Sequence, residues 1–268
     1  MKKKQSLAFS GARMILAAAG FAVVLVQGVW ADETADTIMR DVFNRPEPVS
    51  MSAELTMTLI DSKGKERTRE LVQISASFPG VDKKIMEFAA PADVKGTAFM
   101  NWSYAENGKS DDQWIYLPAL KRVRRISSDG KGDSFMGSDF SYDDLGVRHP
   151  DRDTHTVTGS ETVGDEECWV IESVPKEKGG QYSKTVSWIS KERTMGLKRE
   201  FFDSKGNLLK VLSVLETKTQ AGYELITRTE MKNVQKNHRT TMAFGNVKID
   251  QDVSEDAFTE RALTRGVK

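Results

Sequence analysis

Hydrophobic and polar residues alternate along most of the chain from residue 51 onward. In residues 51–60, Met51, Leu55 and Met57 alternate with Glu54 and Thr56. Because successive side chains of a β-strand point to opposite faces, this period of two predicts strands with one buried face. Thirteen strands are predicted in this way: 51–60, 69–78, 84–89, 97–104, 113–117, 122–126, 154–162, 168–174, 184–190, 197–202, 208–215, 223–234 and 239–249.

The turns between these segments predict how the strands pair. The sequence Asp-Ser-Lys-Gly occurs twice, at 61–64 and at 203–206, each time between two alternating segments. Short connections of this kind favour antiparallel hairpins. The close and regular spacing of the strands therefore predicts a mainly β fold with a single, strongly curved antiparallel sheet.

Helical patterns are few. Residues 32–44 place Ile38, Met39, Val42 and Phe43 at helical spacing, and residues 254–263 begin with a serine followed by two acidic residues. Both segments predict short helices. Two short helices cannot cover a flat sheet of this size, so we expect the sheet to roll its apolar face inward.

The segment 114–145 combines three different patterns. An aromatic strand, 114–117, ends at a proline, and a basic strand, 121–126, follows it. A polar, glycine-rich stretch then leads into apolar residues among serines and aspartates, with neither alternation nor a helical stripe. Such side chains must be buried somewhere, so we predict a lid or plug on the concave face of the sheet. Its residues are Phe135, Met136, Phe140, Tyr142 and Leu145.

This segment resembles the LolA-like outer-membrane lipoprotein-sorting family, and in particular its branch of unknown substrate. The resemblance rests on Trp-x-Tyr-Leu-Pro, the basic strand, and Gly-Asp-Ser-Phe-Met-Gly-Ser-Asp-Phe-Ser-Tyr-Asp-Asp-Leu. It is dense over 114–145 and looser over 35–265. It implies a periplasmic half-barrel of antiparallel strands, covered by short helices and a loop, around a cavity for acyl chains.

The predicted inward face is rich in methionine and aromatic residues. These residues either fill a packed core or line a ligand cavity, and the resemblance favours the cavity. Methionine adapts well to varied apolar ligands. The predicted cavity residues are Met57, Met86, Phe88, Met100, Trp102, Trp114, Tyr116 and Trp188, and Met51 shares their pattern.

The basic strand has two interpretations. Its charges are typical of a solvated edge strand that resists aggregation. The family resemblance instead implies an arginine at the cavity mouth that holds the lid closed. Arg122 and Arg124 are the candidates for contact with a lipid head group or with the lid, and Arg125 is a third possibility for that family position.

The N-terminus indicates the compartment. Basic residues precede an apolar run at 14–26, and Val29-Trp30-Ala31 fits a small-x-small cleavage site, so residues 1–31 are predicted to be a signal peptide and residues 32–268 one domain. The chain carries 39 basic and 39 acidic residues, and loss of four basic residues with the peptide leaves 35 against 39. This balance gives no global attraction to nucleic acid. The lone Cys168 cannot form an internal disulfide.

Motifs for covalent chemistry are missing from the sequence. The three histidines do not stand at metal-ligand spacing, the acids near 143–153 lack calcium-loop spacing, and neither a phosphate-binding loop nor a nucleophile elbow occurs. We therefore expect no cofactor, no metal and no enzymatic activity.

The sequence thus predicts a monomeric periplasmic carrier that binds a lipid or the acyl chains of a lipoprotein. An inner-membrane transporter would load it, and an outer-membrane acceptor would unload it. Two rivals are an envelope adaptor or structural protein that binds another protein through its sheet, and a secreted hydrolase. A packed core would favour the adaptor. A histidine within reach of a serine and an acid in a cleft would favour the hydrolase.

Overall fold

The computed structural model describes residues 28–266, with side chains from residue 35 onward. The predicted signal peptide lies outside these residues, except for the backbone of residues 28–31 at the start of the first helix. Within the described range, no helix is both long enough and apolar enough to cross a membrane.

All thirteen predicted strands are present, with ends that differ from the prediction by a few residues. Two helices, α1 (Gly28–Phe43) and α2 (Glu260–Arg265), flank them. The strands are β1 (Ser50–Ile60), β2 (Glu66–Phe78), β3 (Val81–Ala90), β4 (Ala98–Tyr104), β5 (Asp112–Leu117), β6 (Arg122–Arg125), β7 (Asp153–Val163), β8 (Glu166–Pro175), β9 (Lys184–Ser190), β10 (Gly196–Phe202), β11 (Leu208–Gln220), β12 (Tyr223–Asn233) and β13 (His238–Ile249).

The strands form one curved, open antiparallel sheet, as the sequence predicts. Their order is β6-β5-β4-β3-β2-β1-β13-β12-β11-β10-β9-β8-β7, so the first and last strands pair in the middle. Strands β6 and β7 are neighbours in sequence but occupy opposite edges. The connection between them must therefore cross the whole sheet.

The two Asp-Ser-Lys-Gly turns close their hairpins in the same way. The Asp61 carboxylate accepts hydrogen bonds from the backbone N–H groups of Lys63 and Lys65, at 2.8 and 3.0 Å. Asp203 accepts the equivalent pair from Lys205 and Asn207, each at 2.9 Å. The turn glycines have φ near +80°, a conformation that only glycine adopts without strain.

The alternation of each strand separates two apolar layers. In β3, Met86 and Phe88 point to the face that the crossing connection covers, here called the inner face, and Ile85 points to the outer face. The inner core unites strands from both halves of the sheet: Leu55, Met57, Leu59, Leu71, Met86, Phe88, Phe99, Phe201, Met231 and Met242.

The two helices lie on opposite faces. On α1, Ala35, Ile38 and Met39 pack against Ile171 and Ile189 at the β7 edge of the sheet, beside the crossing connection. The C-terminal segment instead places Phe258 and Leu263 on the outer face of β3 to β5. Both faces of that half of the sheet are therefore covered.

Candidate functional site

Residues 126–152, here called the crossing loop, run over the inner face from β6 to β7. Phe135 is fully buried, with its ring centroid 5.8 Å from that of Phe88 and 5.4 Å from that of Phe99. Phe140 and Leu145 are also buried in the inner core, and Met136 and Tyr142 pack against it. All five predicted lid or plug residues thus lie against the sheet; their movement stays a prediction.

Polar groups fix the middle of the crossing loop to the half of the sheet that β7 to β13 form. The Lys210 ammonium donates to the Asp144 carboxylate at 2.6 Å, and Tyr182 O–H donates to the same carboxylate at 2.8 Å. The Asp139 carboxylate accepts from Thr240 at 2.7 Å and lies 2.6 Å from His238 Nδ1. These contacts join the loop to β11 and β13.

Three further donors from the first half of the sheet hold backbone carbonyls of the loop. Arg69 donates to the carbonyl of Met136, Lys84 Nζ to that of Leu145 at 2.6 Å, and Gln113 to that of Tyr142 at 2.8 Å. The strand arginine that contacts the middle of the loop is therefore Arg69, whereas Arg40 of α1 contacts Asp151 near the end of the loop.

Arg122 and Arg124, in contrast, are exposed on the edge strand β6 and form no ion pair among the described residues. Neither lines the cleft described below. Sequence reasoning overlooked Arg69 because it considered only the basic cluster. The sequence signal was that Arg69 lies two residues before Leu71 and therefore on the same, apolar face of β2.

Where the loop, α1 and the strands β8 to β12 diverge, the inner face holds a cleft of about 480 Å³. Its apolar wall and floor come from the helix, the loop and the sheet. They include Met39, Val42, Phe43, Phe140, Phe201, Leu212 and Met231. Polar side chains, among them Asp143, Arg148, His155, Tyr182 and Arg199, line the remainder.

The charges in this cleft are unevenly paired. Arg148 holds Asp153 through two hydrogen bonds, of which Nε to Oδ2 measures 2.8 Å. Arg199 donates from Nε to Ser187 Oγ at 2.9 Å, and burial lowers the pKa of its guanidinium. Burial, followed by the Asp144 charge, raises the pKa of the Asp143 carboxyl.

A buried serine–histidine pair also lines the cleft. His155 Nδ1 lies 2.8 Å from Ser173 Oγ, and its Nε2 lies 2.9 Å from the carbonyl oxygen of Pro150. Since a carbonyl only accepts, Nε2 carries the proton and Nδ1 accepts from the serine. The third partner is a backbone carbonyl rather than an acid, so the pair lacks the carboxylate that orients the histidine of a catalytic triad.

The eight predicted cavity residues do not share one wall, which corrects their grouping. Met57, Met86 and Phe88 lie in the inner core beneath the crossing loop. Met100, Trp102, Trp114 and Tyr116 lie on the outer face under the C-terminal segment. Trp188 belongs to another outer cluster, with Val170 and Leu197. Two successive strands, β3 and β4, are apolar on both faces, and alternation alone cannot tell which face is inner.

In the part of the chain with described side chains, no group of His, Cys, Asp and Glu residues could hold a metal ion. The buried Cys168 has no disulfide partner. The site is therefore a cleft between a sheet and the segments that cover it.

The fold and the cleft together define a class of proteins. Each consists of an open, curved antiparallel sheet whose inner face is partly covered by the connection between its two edge strands. A family model described as an uncharacterized protein matches residues 80–265. A domain from Vibrio parahaemolyticus named for outer membrane lipoprotein sorting is 33% identical, with a TM-score of 0.82 over 87% of this chain and 100% of that one. The chain belongs to the LolA-like outer membrane lipoprotein-sorting family.

Two other solved structures agree. A DUF1329 family protein from Desulfovibrio piger is 28% identical, with a TM-score of 0.82 over 87% of this chain and 99% of that one. The LolA superfamily protein NE2245 from Nitrosomonas europaea, at 18% identity, shares the fold with a TM-score of 0.66 over 85% and 98%. Among curated proteins, none matches the chain.

Proposed function

We propose that the protein is a non-enzymatic carrier that binds acyl chains, of a lipid or of a lipoprotein, in the cleft on its inner face. The observation that carries this proposal is the cleft itself, since it lies between the sheet and the segments that cover it in a LolA-like fold. The proposed location is the bacterial envelope, in agreement with the names of the related proteins.

The size and lining of the cleft suit such a ligand. Its volume of about 480 Å³ falls within the range of roughly 300–1,000 Å³ that is usual for small-molecule sites. Each buried methylene contributes ~0.8 kcal/mol, so a long chain in contact with Phe201, Leu212 and Met231 would bind tightly.

Tight binding requires a means of release. The crossing loop forms one wall of the cleft through Phe140, Asp143 and Asp144, and polar contacts rather than covalent links hold it in place. We propose that it moves as a lid when a membrane transporter loads the protein or an acceptor unloads it. The protein would act as a monomer.

Uptake of a fluorescent fatty-acid probe by the purified protein tests this proposal. Leu212→Trp should fill the cleft and reduce uptake at least tenfold, because Leu212 points to the inner face. Val211→Trp is the matched control, since Val211 is the preceding residue and points to the outer face. Native mass spectrometry of the protein isolated from its own envelope should show a bound lipid. Absence of both uptake and bound lipid would refute the carrier.

An envelope adaptor is favoured less, because the inner face is not fully packed. A hydrolase is the second candidate, and the pair of Ser173 with His155 is the observation that favours it. Release of p-nitrophenol from acyl esters by the wild type, lost in Ser173→Ala, would establish that activity. A carrier predicts no release from either protein and equal probe uptake by both.

A further inference from the structure

A second, smaller hollow of about 200 Å³ adjoins the cleft. Leu197, Leu212 and Val214 give it an apolar lining, and Arg199 and Leu212 line both spaces. Arg199 therefore lies where the two spaces meet.

The Arg199 guanidinium has more donors than the protein satisfies. Among the described residues, its single hydrogen-bond partner is Ser187, through Nε, and it forms no ion pair. Its two Nη groups have no acceptor among the described residues. They are not enclosed by the protein, so they remain in contact with solvent. The unused donors therefore face the open space.

The acids near Arg199 are already engaged. Asp153 pairs with Arg148, and Asp144 pairs with Lys210. Two other carboxylates line the cleft: Glu177 pairs with Arg152 at 3.4 Å, and Asp143 forms neither a hydrogen bond nor an ion pair with Arg199. Asp129 is exposed at the rim. Arg199 is thus a half-buried cation with no ion-pair partner among the described residues.

A buried, unpaired charge is costly, so it calls for a partner. Burial lowers the pKa of Arg199, which is the direction expected for an uncompensated cation. A carboxylate or phosphate can accept two parallel hydrogen bonds from a guanidinium, and such charge-assisted pairs are strong in a dry site.

We propose that Arg199 binds the anionic head of an amphiphile, a carboxylate or a phosphate monoester, whose acyl chain lies along Leu212 in the adjoining apolar space. This inference rests on the proposed carrier function and specifies its ligand class. The positive charge would then select among lipids, and apolar contacts would supply most of the affinity.

Competition binding with three ligands of equal chain length tests the proposal: palmitate, hexadecyl phosphate, and the uncharged methyl palmitate. The wild type should bind at least one of the two anions about 10- to 100-fold more tightly than the ester. Arg199→Gln should remove that preference and leave ester binding unchanged. Lys232→Gln is the control, because Lys232 is exposed on β12 and lines neither space.

Thermal unfolding without ligand gives an independent readout. Arg199→Met should unfold at a higher temperature than the wild type, because it removes an unpaired charge that is partly withdrawn from water. A merely structural arginine would give the opposite result.

The outcomes distinguish the head-group site from the carrier function. Equal wild-type affinity for the anions and the ester, or an equal loss for all three in Arg199→Gln, would overturn the head-group site and leave the carrier intact. Failure of all three ligands to bind would overturn both. A preference for the fatty acid over the phosphate, or the reverse, identifies the source of the anion.

Discussion

Lys210 on β11 and Asp144 in the crossing loop form an ion pair at 2.6 Å in which both side chains are almost fully buried, at 3% and 4% exposure. The pair joins two residues that lie far apart in the sequence. The ammonium also donates to the carbonyl of Asp139 at 3.1 Å, and Tyr182 donates to the Asp144 carboxylate. The middle of the loop is therefore fixed by a satisfied buried network.

Lys210→Met should lower the free energy of unfolding by about 3–5 kcal/mol, because it leaves the Asp144 carboxylate buried without its cation. Urea unfolding measures the loss. Lys184→Met is the control, since Lys184 pairs with Glu172 at 2.6 Å with about a third of each side chain exposed, and its loss should be within about 1 kcal/mol. Similar losses in both variants would contradict this account of the loop.

Tyr182 should make the protein sensitive to alkaline pH. Burial, and then the Asp144 charge, raise the pKa of its hydroxyl above the ordinary value of about 10. The folded state therefore keeps this proton to a higher pH than the unfolded state. The resulting stabilisation is complete below about pH 10 and declines as pH rises further, by up to about 1.4 kcal/mol per pH unit.

Urea unfolding between pH 8 and pH 11 tests this dependence on Tyr182. The wild type should lose stability more steeply than Tyr182→Phe above pH 10. Tyr104, whose pKa burial raises to about 12, contributes in the same direction in both proteins and cancels in the comparison. Parallel pH profiles would show that Tyr182 does not carry the effect.

Arg69→Gln should loosen the crossing loop without filling the cleft. The variant weakens the charged donor to the Met136 carbonyl, so stopped-flow uptake of an acyl probe should accelerate, by up to about tenfold. Arg67→Gln is the matched control, because Arg67 occupies the same strand face two residues earlier and is exposed. Unchanged uptake in Arg69→Gln would argue that the loop does not limit entry.

Trp114→Ala should destabilise the protein and spare ligand binding. Trp114 is 9% exposed on the outer face, with its ring centroid 5.0 Å from that of Trp102, in the cluster that holds Phe258. Truncation should cost about 3 kcal/mol in urea unfolding. Affinity for an acyl probe should stay within about twofold. A larger loss would indicate that Trp114 contributes to the ligand site.

Local sequence patterns were sufficient to predict the strands and the turns between them. Alternation in segments such as 51–60 identifies a strand wherever it lies in the fold, because the period of two is a property of the extended backbone. The Asp61 and Asp203 turns close their hairpins through contacts within four residues. The family could also be recognised from the single segment 114–145.

The position of each apolar face was decided by contacts that are distant in sequence. Met86 and Met100 are equally apolar in adjacent strands, yet one lies beneath the crossing loop and the other beneath α2. The cleft, and the unpaired Arg199 within it, arise where β10 meets a loop and a helix from other parts of the chain. The sequence by itself therefore determined which segments are strands, whereas the tertiary structure decided which face holds the ligand site, because curvature and covering segments act across the whole sheet.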